Sequence, residues 1–268
     1  MIDSPYLIRP GKPVHFKRLK TKDSGDFKDR AEAEAIAEKN RRRLHDMQDV
    51  LYAQGTQSLL VILQAMDAGG KDGTIEYIFS GVNPQGCSVT SFKAPSTNEK
   101  AHDFLWRIHA AAPAKGMIGI FNRSHYESVL VERVHSLAPK HVLKKRYDHI
   151  NAFEQMLADE GTTIVKFFLH ISFEEQAERM QARLDDPKKN WKFSPGDLEE
   201  RKYWKDYAGA FEDALEKCST EAAPWYAIPS DRKWFRNWAI SDILVRTLEA
   251  MNPAYPPPIA DISEYKVV

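Results

Sequence analysis

Residues 58–74 read SLLVILQAMDAGGKDGT, an apolar run that leads into a glycine-rich turn. The run 58–65 does not alternate with polar residues, which is typical of a strand that a parallel sheet buries on both faces. The turn is followed by the helical sequence IEYIF, so the local order is strand, glycine turn, helix. This order predicts a phosphate-binding loop, because backbone N–H groups and a helix N-terminus converge there on an anion.

Lys71 stands in this turn where a phosphate-binding lysine belongs. The match to the pattern G-x-x-x-x-G-K-[ST] is imperfect, since Ala65 takes the first position and Asp72 follows the lysine. A tight turn that uses its glycines only for close packing is the alternative. A lysine at a helix N-terminus is unfavourable unless an anion is present, which favours the phosphate site. The candidate phosphate-binding residues around the lysine are Gly69, Gly70, Gly73 and Thr74.

Asp67 lies on the same loop. A carboxylate beside a phosphate repels it unless a cation mediates, and Mg²⁺ commonly uses one or two carboxylates together with phosphate oxygens. We therefore expect Asp67 to hold Mg²⁺, with Mn²⁺ as the alternative ion. For Asp67 alone, a hydrogen bond within the loop is the other interpretation.

Strands and helices alternate along the rest of the chain, which indicates an α/β domain. Further apolar strands are predicted at 87–93, 117–121, 162–170 and 225–228, and helices at 28–53, 97–111, 173–184 and 195–217. We expect an extended basic arm at 1–27, one α/β domain at 28–252 that includes a lid at about 185–197, and a proline-rich tail at 253–268.

The composition narrows the class of protein. The chain has 268 residues, 43% of them hydrophobic, and its 38 basic and 38 acidic residues give no net charge. Any polyanion must therefore be held by local basic clusters, for which 41–43, 140–146 and the arm are candidates. Two cysteines, no apolar leader and no long apolar run favour a cytoplasmic protein without a disulfide framework or a membrane segment.

The predicted strand 117–121 ends in Asn122-Arg-Ser-His-Tyr-Glu127, at the sheet edge where ligands of open α/β folds bind. The fork of Arg123 suits a phosphate better than a purely structural role. His125 could carry a phosphoryl group, but a structural hydrogen bond is the interpretation we favour.

Four segments together carry a resemblance to the family 2 polyphosphate kinases: LQAMDAGGKDGTI, IFNRSHYE, RLDDPKKNWKFS and APWYAIPSDRKWFRNW. They occur in the expected order over about residues 55–240. The resemblance implies a thymidylate-kinase-like P-loop fold, which is a three-layer α/β/α sandwich with a mainly parallel sheet and a helical lid. It also implies reversible, Mg²⁺-dependent transfer of the terminal phosphate of inorganic polyphosphate to a nucleotide, by a homodimer or homotetramer.

The resemblance extends to the acceptor and to residue roles. With Asn122 where other members have Asp, the chain resembles the subgroup that phosphorylates both AMP and ADP. Adenine nucleotides are the expected acceptors, and guanine nucleotides are the alternative. By resemblance, the catalytic residues are Asp67, Lys71 and Arg123. The residues expected to bind polyphosphate are Arg183, Lys189 and Lys192. Those expected to bind the nucleotide are Asn122, Glu127 and Asp197. The family's last motif is matched by Asp231, Lys233 and Arg236. The lid departs from the family's K-R-W-K at Asn190.

Other functions predict features that the sequence lacks. An ATP-dependent nucleoside monophosphate kinase, which is the main alternative, predicts a G-x-x-G-x-G-K loop. A GTPase-like switch predicts an [NT]-K-x-D motif, and a nucleic-acid-binding protein predicts aromatic residues among its basic patches.

Overall fold

Five parallel strands form a sheet in the computed structural model, which describes residues 1–258, 262, 265 and 266. The strands are Ser58–Ala65 (β1), Cys87–Ser91 (β2), Ile118–Asn122 (β3), Thr162–His170 (β4) and Trp225–Pro229 (β5). Their spatial order is β2-β3-β1-β4-β5, so β1 lies at the centre between β3 and β4. The prediction of a mainly parallel sheet is confirmed.

Helices connect these strands. The α-helices are Arg30–Gln54 (α1), Lys71–Phe79 (α2), Thr97–Lys100 (α3), Trp106–Ala110 (α4), Val131–Val134 (α5), Lys140–Asp159 (α6), Phe173–Asp185 (α7), Pro195–Lys202 (α8), Trp204–Cys218 (α9) and Lys233–Met251 (α10). Short 3₁₀ turns lie at Phe16–Arg18, Pro84–Gly86, His125–Ser128 and Asn190–Lys192. Among the described residues, no helix has both the length and the apolar character needed to cross a bilayer.

The sheet is buried on both faces, which explains the uninterrupted apolar run of β1. Leu60 and Ile62 point into a core shared with α6 and α9. Val61 and Leu63 point the opposite way, into a core shared with α1, α2 and α10. The arrangement is the three-layer α/β/α sandwich that was expected.

The first residues of the chain pack onto the sheet rather than away from it. The backbone N–H of Ile8 donates to Trp225 O at 2.9 Å, and that of Ala227 donates to Tyr6 O at 2.9 Å, so this segment extends the edge at β5. Val14 and Phe16 are buried in the core. At the other end, 253–258 has no regular secondary structure, and the predicted tail at 259–261, 263–264 and 267–268 lies outside the described residues.

The helix predicted at 97–111 is wrong, because α3 and α4 are separate short helices. A capping box formed by Ser96 and Glu99 starts α3. Asp103 then accepts a hydrogen bond from the backbone N–H of Leu105 at 2.9 Å. Such a local side-chain bond competes with helix continuation, and the sequence pattern did not reveal it. The helix predicted at 195–217 is likewise divided at Tyr203 into α8 and α9.

Candidate active site

The glycine turn between β1 and α2 lies at the carboxyl edge of the sheet. Lys71 begins α2, is buried, and donates from Nζ to Ala65 O at 3.3 Å. Thr74 is also buried, and its hydroxyl donates to Gly70 O at 3.0 Å. Gly70 has φ 97°, and a Cβ there would overlap the guanidinium of Arg236. The backbone conformation of residue 70 therefore favours glycine, and the absence of a side chain there leaves room for a cationic group beside the turn.

Lys71 lies among both cations and carboxylates. Burial and the charge of Arg123 lower the pKa of Lys71, while Asp67, Glu127 and Asp72 oppose that shift. Desolvation disfavours the charged amine, and an added anion would favour it. The turn thus places a desolvated lysine where a phosphate would stabilise its charge.

Arg123 joins the turn after β1 to the segment after β3. Its Nη2 donates to Asp67 Oδ1 at 2.9 Å, and its Nη1 lies 3.5 Å from Glu127 Oε2. Glu127 in turn accepts from Gln64 Nε2 at 3.1 Å. The structure therefore brings the three proposed catalytic residues, Asp67, Lys71 and Arg123, to one place.

Asn122 makes a contact that the sequence did not suggest. Its Nδ2 donates to Asp72 Oδ1 at 2.7 Å, so the amide bridges the end of β3 to the residue beside Lys71. Two of the glycines assigned to phosphate differ in the space around them. A Cβ added at Gly69 would lie 2.5 Å from the Cβ of Ala65, whereas a Cβ added at Gly73 would meet nothing within 4 Å. Gly69 thus fits the close-packing interpretation as well as the phosphate one.

The lid is held by contacts of its own. Arg183 donates to Asp197 Oδ2 at 3.1 Å and to Lys192 O at 3.2 Å. Lys189 pairs with Asp186 at 2.7 Å, and the ammonium of Lys192 lies 4.9 Å from the centre of the Trp191 ring. The lid residues assigned to polyphosphate are therefore near one another, but their present partners belong to the lid.

Asn190 stands where an arginine was expected in the lid, and its side chain caps the C-terminal end of α7. Its Nδ2 donates to Arg183 O at 2.8 Å and to Leu184 O at 2.9 Å. These carbonyls belong to the last turn of the helix and have no partner within it. The departure from the family pattern thus has a structural role as a cap.

Asp197 reaches the site from α8. Burial and the neighbouring charge of Asp67 raise the pKa of Asp197, against the opposing effect of Arg183. Among the described residues, no three His, Cys, Asp or Glu side chains are grouped so as to hold a metal by themselves. Asp67 and Asp197 are nevertheless two neighbouring carboxylates beside the turn, which suits a cation that takes its other ligands from phosphate and water.

A cationic cluster, formed by Arg179, Lys233 and Arg236, lies against the same turn. Arg179 extends from α7 and donates to Ala68 O at 3.1 Å and to Ser230 O at 2.5 Å. Burial and the charge of Arg179 lower the pKa of Arg236 to about 9, and burial, Arg179 and Arg236 lower the pKa of Lys233. Glu175 compensates part of this charge, since it pairs with Arg179 at 2.7 Å and opposes the lowering of the pKa of Lys233.

Sequence reasoning missed Arg179, because it lies inside α7 and outside any motif. Its spacing of four from Glu175 is the pattern of an ordinary surface ion pair. A cleft lies beside Asp67 and Arg123, and sequence reasoning also missed the residues that form its opposite wall. That wall comes from α5, α8 and α9 and consists of Leu130, Val131, Glu200, Arg201, Trp204, Tyr207 and Phe211.

Two of the other basic segments considered for a polyanion are partly compensated. Arg41 and Arg42 both pair with Glu38, and Arg43 pairs with Glu249. Arg146 donates to Glu132 at 2.7 Å. The excess of positive charge at the cationic cluster therefore distinguishes that place from these faces.

Comparisons with known proteins identify the family of the chain. The model of the family described as polyphosphate kinase 2 matches residues 27–256. An AMP/ADP-polyphosphate phosphotransferase of Meiothermus ruber is 54% identical over 94% of this chain and 95% of that protein. An ADP-polyphosphate phosphotransferase of Rhodopseudomonas palustris is 44% identical over 94% of this chain and 91% of that protein.

Solved structures resemble the whole fold. The crystal structure of polyphosphate kinase 2 from Arthrobacter aurescens TC1 superposes with a TM-score of 0.92 at 42% identity, over 96% of this chain and 92% of that one. Sequence and fold agree, and the chain belongs to the polyphosphate kinase 2 family.

Proposed function

We propose that this polyphosphate kinase transfers the terminal phosphate of inorganic polyphosphate to AMP and to ADP, reversibly and with Mg²⁺. The observation that carries the proposal is the excess of positive charge that the cationic cluster, with Arg236 buried, places against the turn bearing Lys71. The name of the Meiothermus ruber relative, AMP/ADP-polyphosphate phosphotransferase, supports the two acceptors.

The donor fits the cationic side of the turn. Buried cations are costly unless an anion compensates them, and Arg236 keeps a lowered pKa because it is desolvated next to Arg179. Polyphosphate carries about one charge per internal phosphate and gives a row of anionic oxygens. Arg179, Lys233 and Arg236 would bind the phosphates next to the terminal one, with the lid residues Lys189 and Lys192 covering the chain.

The acceptor fits the side of Arg123. Its α-phosphate or β-phosphate oxygen attacks the terminal phosphorus of polyphosphate, a new P–O bond forms, and the bond to the next phosphate breaks with its electrons leaving on that bridging oxygen. Phosphoryl transfer of this kind depends on positioning and on neutralising charge. Lys71 and Arg123 supply that charge from two sides, while Asn122 and Glu127 lie next to the incoming phosphate.

Members of this family generally depend on a divalent metal. Asp67 is the residue that would hold it, with Asp197 as a second carboxylate, and the ion would neutralise charge on the phosphate oxygens. Mg²⁺ is proposed as the ion and Mn²⁺ as its substitute.

Further parts of the proposal rest on the sequence resemblance. They are a homodimer or homotetramer, adenine nucleotides with guanine nucleotides as a second acceptor, and a cytoplasmic location that agrees with two free cysteines.

Product analysis tests the proposal. The purified protein is incubated with Mg²⁺, polyphosphate and one of AMP, ADP or GDP, and the nucleotides are separated by chromatography. We expect AMP to yield ADP and then ATP, and ADP to yield ATP. Absence of ADP from the AMP reaction, with ATP formed from ADP, would restrict the enzyme to diphosphate acceptors.

A further inference from the structure

A buried charged group lies under the active-site segment and takes no part in the chemistry described above. Lys166, in β4, donates from Nζ to Glu154 Oε2 at 2.5 Å, to Tyr126 Oη at 2.8 Å and to Cys218 O at 2.7 Å. Glu154, in α6, also accepts from Tyr126 Oη at 3.0 Å and contacts His125 Nε2 at 3.1 Å. We call His125, Tyr126, Glu154 and Lys166 the buried quartet; each side chain is at most 2% exposed.

The quartet has a defined charge state. Burial lowers the pKa of His125, so the ring is neutral, and its Nε2–H donates to the carboxylate of Glu154. Burial would raise the pKa of Glu154, but Lys166 and His125 together lower it. The result is one buried ion pair between Lys166 and Glu154. The carboxylate of Glu154 accepts hydrogen bonds from Lys166, Tyr126 and His125.

Stability alone does not explain this ion pair. Desolvating two charges costs about as much as their attraction returns, and apolar residues of similar volume are often equally stable or more so in such places. Ionic groups in a core can instead fix one arrangement of the elements they join. Here they join α6 and β4 to the segment that carries Arg123.

That segment needs an external support. Arg123 has φ 62°, in the left-handed region, where a non-glycine residue is strained and persists only when its surroundings hold it. Bonds within the segment shape it, since Ser124 Oγ accepts from Tyr126 N at 3.2 Å and Ser128 Oγ donates to His125 O at 2.7 Å. The side chains of His125 and Tyr126 tie it to the sheet and α6.

We propose that Glu154 and Lys166 are positioning residues, which act through His125 and Tyr126 to hold Arg123 in its reactive arrangement. The proposal rests on the proposed function, since its main readout is polyphosphate-dependent turnover. It assigns to the ion pair an effect on turnover that is transmitted by Arg123 alone.

The test is a double-mutant cycle. Glu154→Leu with Lys166→Met removes the ion pair at similar volume, and it is made with Arg123 intact and in an Arg123→Ala background. The control, Ser58→Ala with Thr162→Val, removes a buried hydroxyl pair at 3.0 Å between the first residues of β1 and β4, at the sheet edge opposite the active site. We measure kcat, KM for polyphosphate, and amide hydrogen exchange over residues 123–127.

With Arg123 intact, the quartet variant should lose about tenfold in kcat, with KM for polyphosphate changed less than threefold, because Arg123 is no longer held in place. Residues that act through one another have non-additive effects on turnover. In the Arg123→Ala background the same change should cost less than twofold. Amides 123–127 should exchange faster in the quartet variant and not in the control. Equal losses in both backgrounds, or no loss with Arg123 intact, would overturn the proposal.

Two arrangements keep the test decisive. If the quartet variant does not fold, Tyr126→Phe, which removes one hydroxyl and leaves the ion pair, is carried through the same cycle with an expected threefold loss that disappears with Arg123→Ala. If the wild-type protein shows no polyphosphate-dependent turnover, the proposed function fails. The exchange of amides 123–127 then decides separately whether the quartet holds the segment.

Discussion

At the scale of single residues, Lys71 is the side chain that best distinguishes a phosphate site from a tight turn. It is buried, and its pKa is lowered by desolvation and by Arg123. Because desolvation disfavours the charged form of Lys71, a bound anion such as phosphate is what would stabilise that charge.

Lys71→Met keeps the length and apolar stem of the side chain and removes its charge. Turnover should fall by roughly a hundredfold or more, as when a single electrostatic group for the transition state is lost. The melting temperature without substrate should stay the same or rise, because a buried charge is removed. Turnover within threefold of wild type would exclude Lys71 from the reaction.

Asn122 gives a sharper prediction, since its partner is known. Asn122→Asp places a carboxylate 2.7 Å from Asp72, where an amide now donates, and two acceptors at that distance repel each other. We expect kcat/KM for AMP to fall more than that for ADP, by about tenfold in the ratio, because AMP has fewer other phosphate contacts.

The reversed pair, Asn122→Asp with Asp72→Asn, restores the hydrogen bond and serves as the matched control. If the ratio returns to that of wild type, Asn122 acts through Asp72. If it stays low, the amide contacts the acceptor phosphate directly. A ratio that moves toward AMP in the single variant would contradict any role of Asn122 in choosing the acceptor.

Sequence predicted the turn residues because the chemistry of a phosphate loop is local. Asp67, Lys71 and the glycines are adjacent in sequence, and Arg123 follows a recognisable strand. Arg179 was not predicted, since its place beside Gly70 depends on how α7 packs across the sheet. The quartet was not predicted for the same reason: His125 suggested a hydrogen bond, but its partner is 29 residues away.

At the scale of elements, the lid differs from the sheet in what determines its position. The five strands and α1 follow from apolar patterns in the sequence, whereas the lid is polar and its position depends on side-chain contacts such as those of Asn190. The same limitation explains the error at 97–111, where Asp103 interrupts a helix that periodicity extends.

Lys189→Ala with Lys192→Ala tests whether the lid contacts polyphosphate. KM for polyphosphate should rise and the slope of log KM against log salt should decrease by about one unit, since fewer counterions are displaced. Lys192 should contribute more than Lys189, which already pairs with Asp186. The control is Lys100→Ala with Lys115→Ala, two exposed positions outside the basic clusters considered for a polyanion, which removes the same charge; a slope that changes equally in both would remove the lid from the polyphosphate path.

At the scale of the whole molecule, a buried histidine links stability to pH. Burial lowers the pKa of His170 from 6.5 to about 4, between the rings of Phe16 and Phe168. Below pH 6.5 the unfolded chain binds a proton that the folded chain excludes, so stability rises with pH between about 4 and 6.5 and is lost as pH falls.

The free energy of unfolding should therefore drop by about 1.4 kcal/mol per pH unit from this group alone over that window. Urea unfolding of wild type and His170→Gln at pH 5 and pH 7 measures it, and the variant should show a smaller difference between the two pH values. His149→Gln, an exposed position on α6, is the control. Equal pH dependence in His170→Gln and wild type would show that His170 takes up its proton in the folded state.

The most direct measurement is of the phosphate donor. The purified protein is given Mg²⁺ and AMP, with either polyphosphate or ATP as the sole donor, and initial rates of ADP formation are compared for wild type and Lys71→Met. We expect rapid ADP formation from polyphosphate that Lys71→Met abolishes, and at most about a hundredth of that rate from ATP. Equal or faster transfer from ATP would contradict it and favour a nucleoside monophosphate kinase.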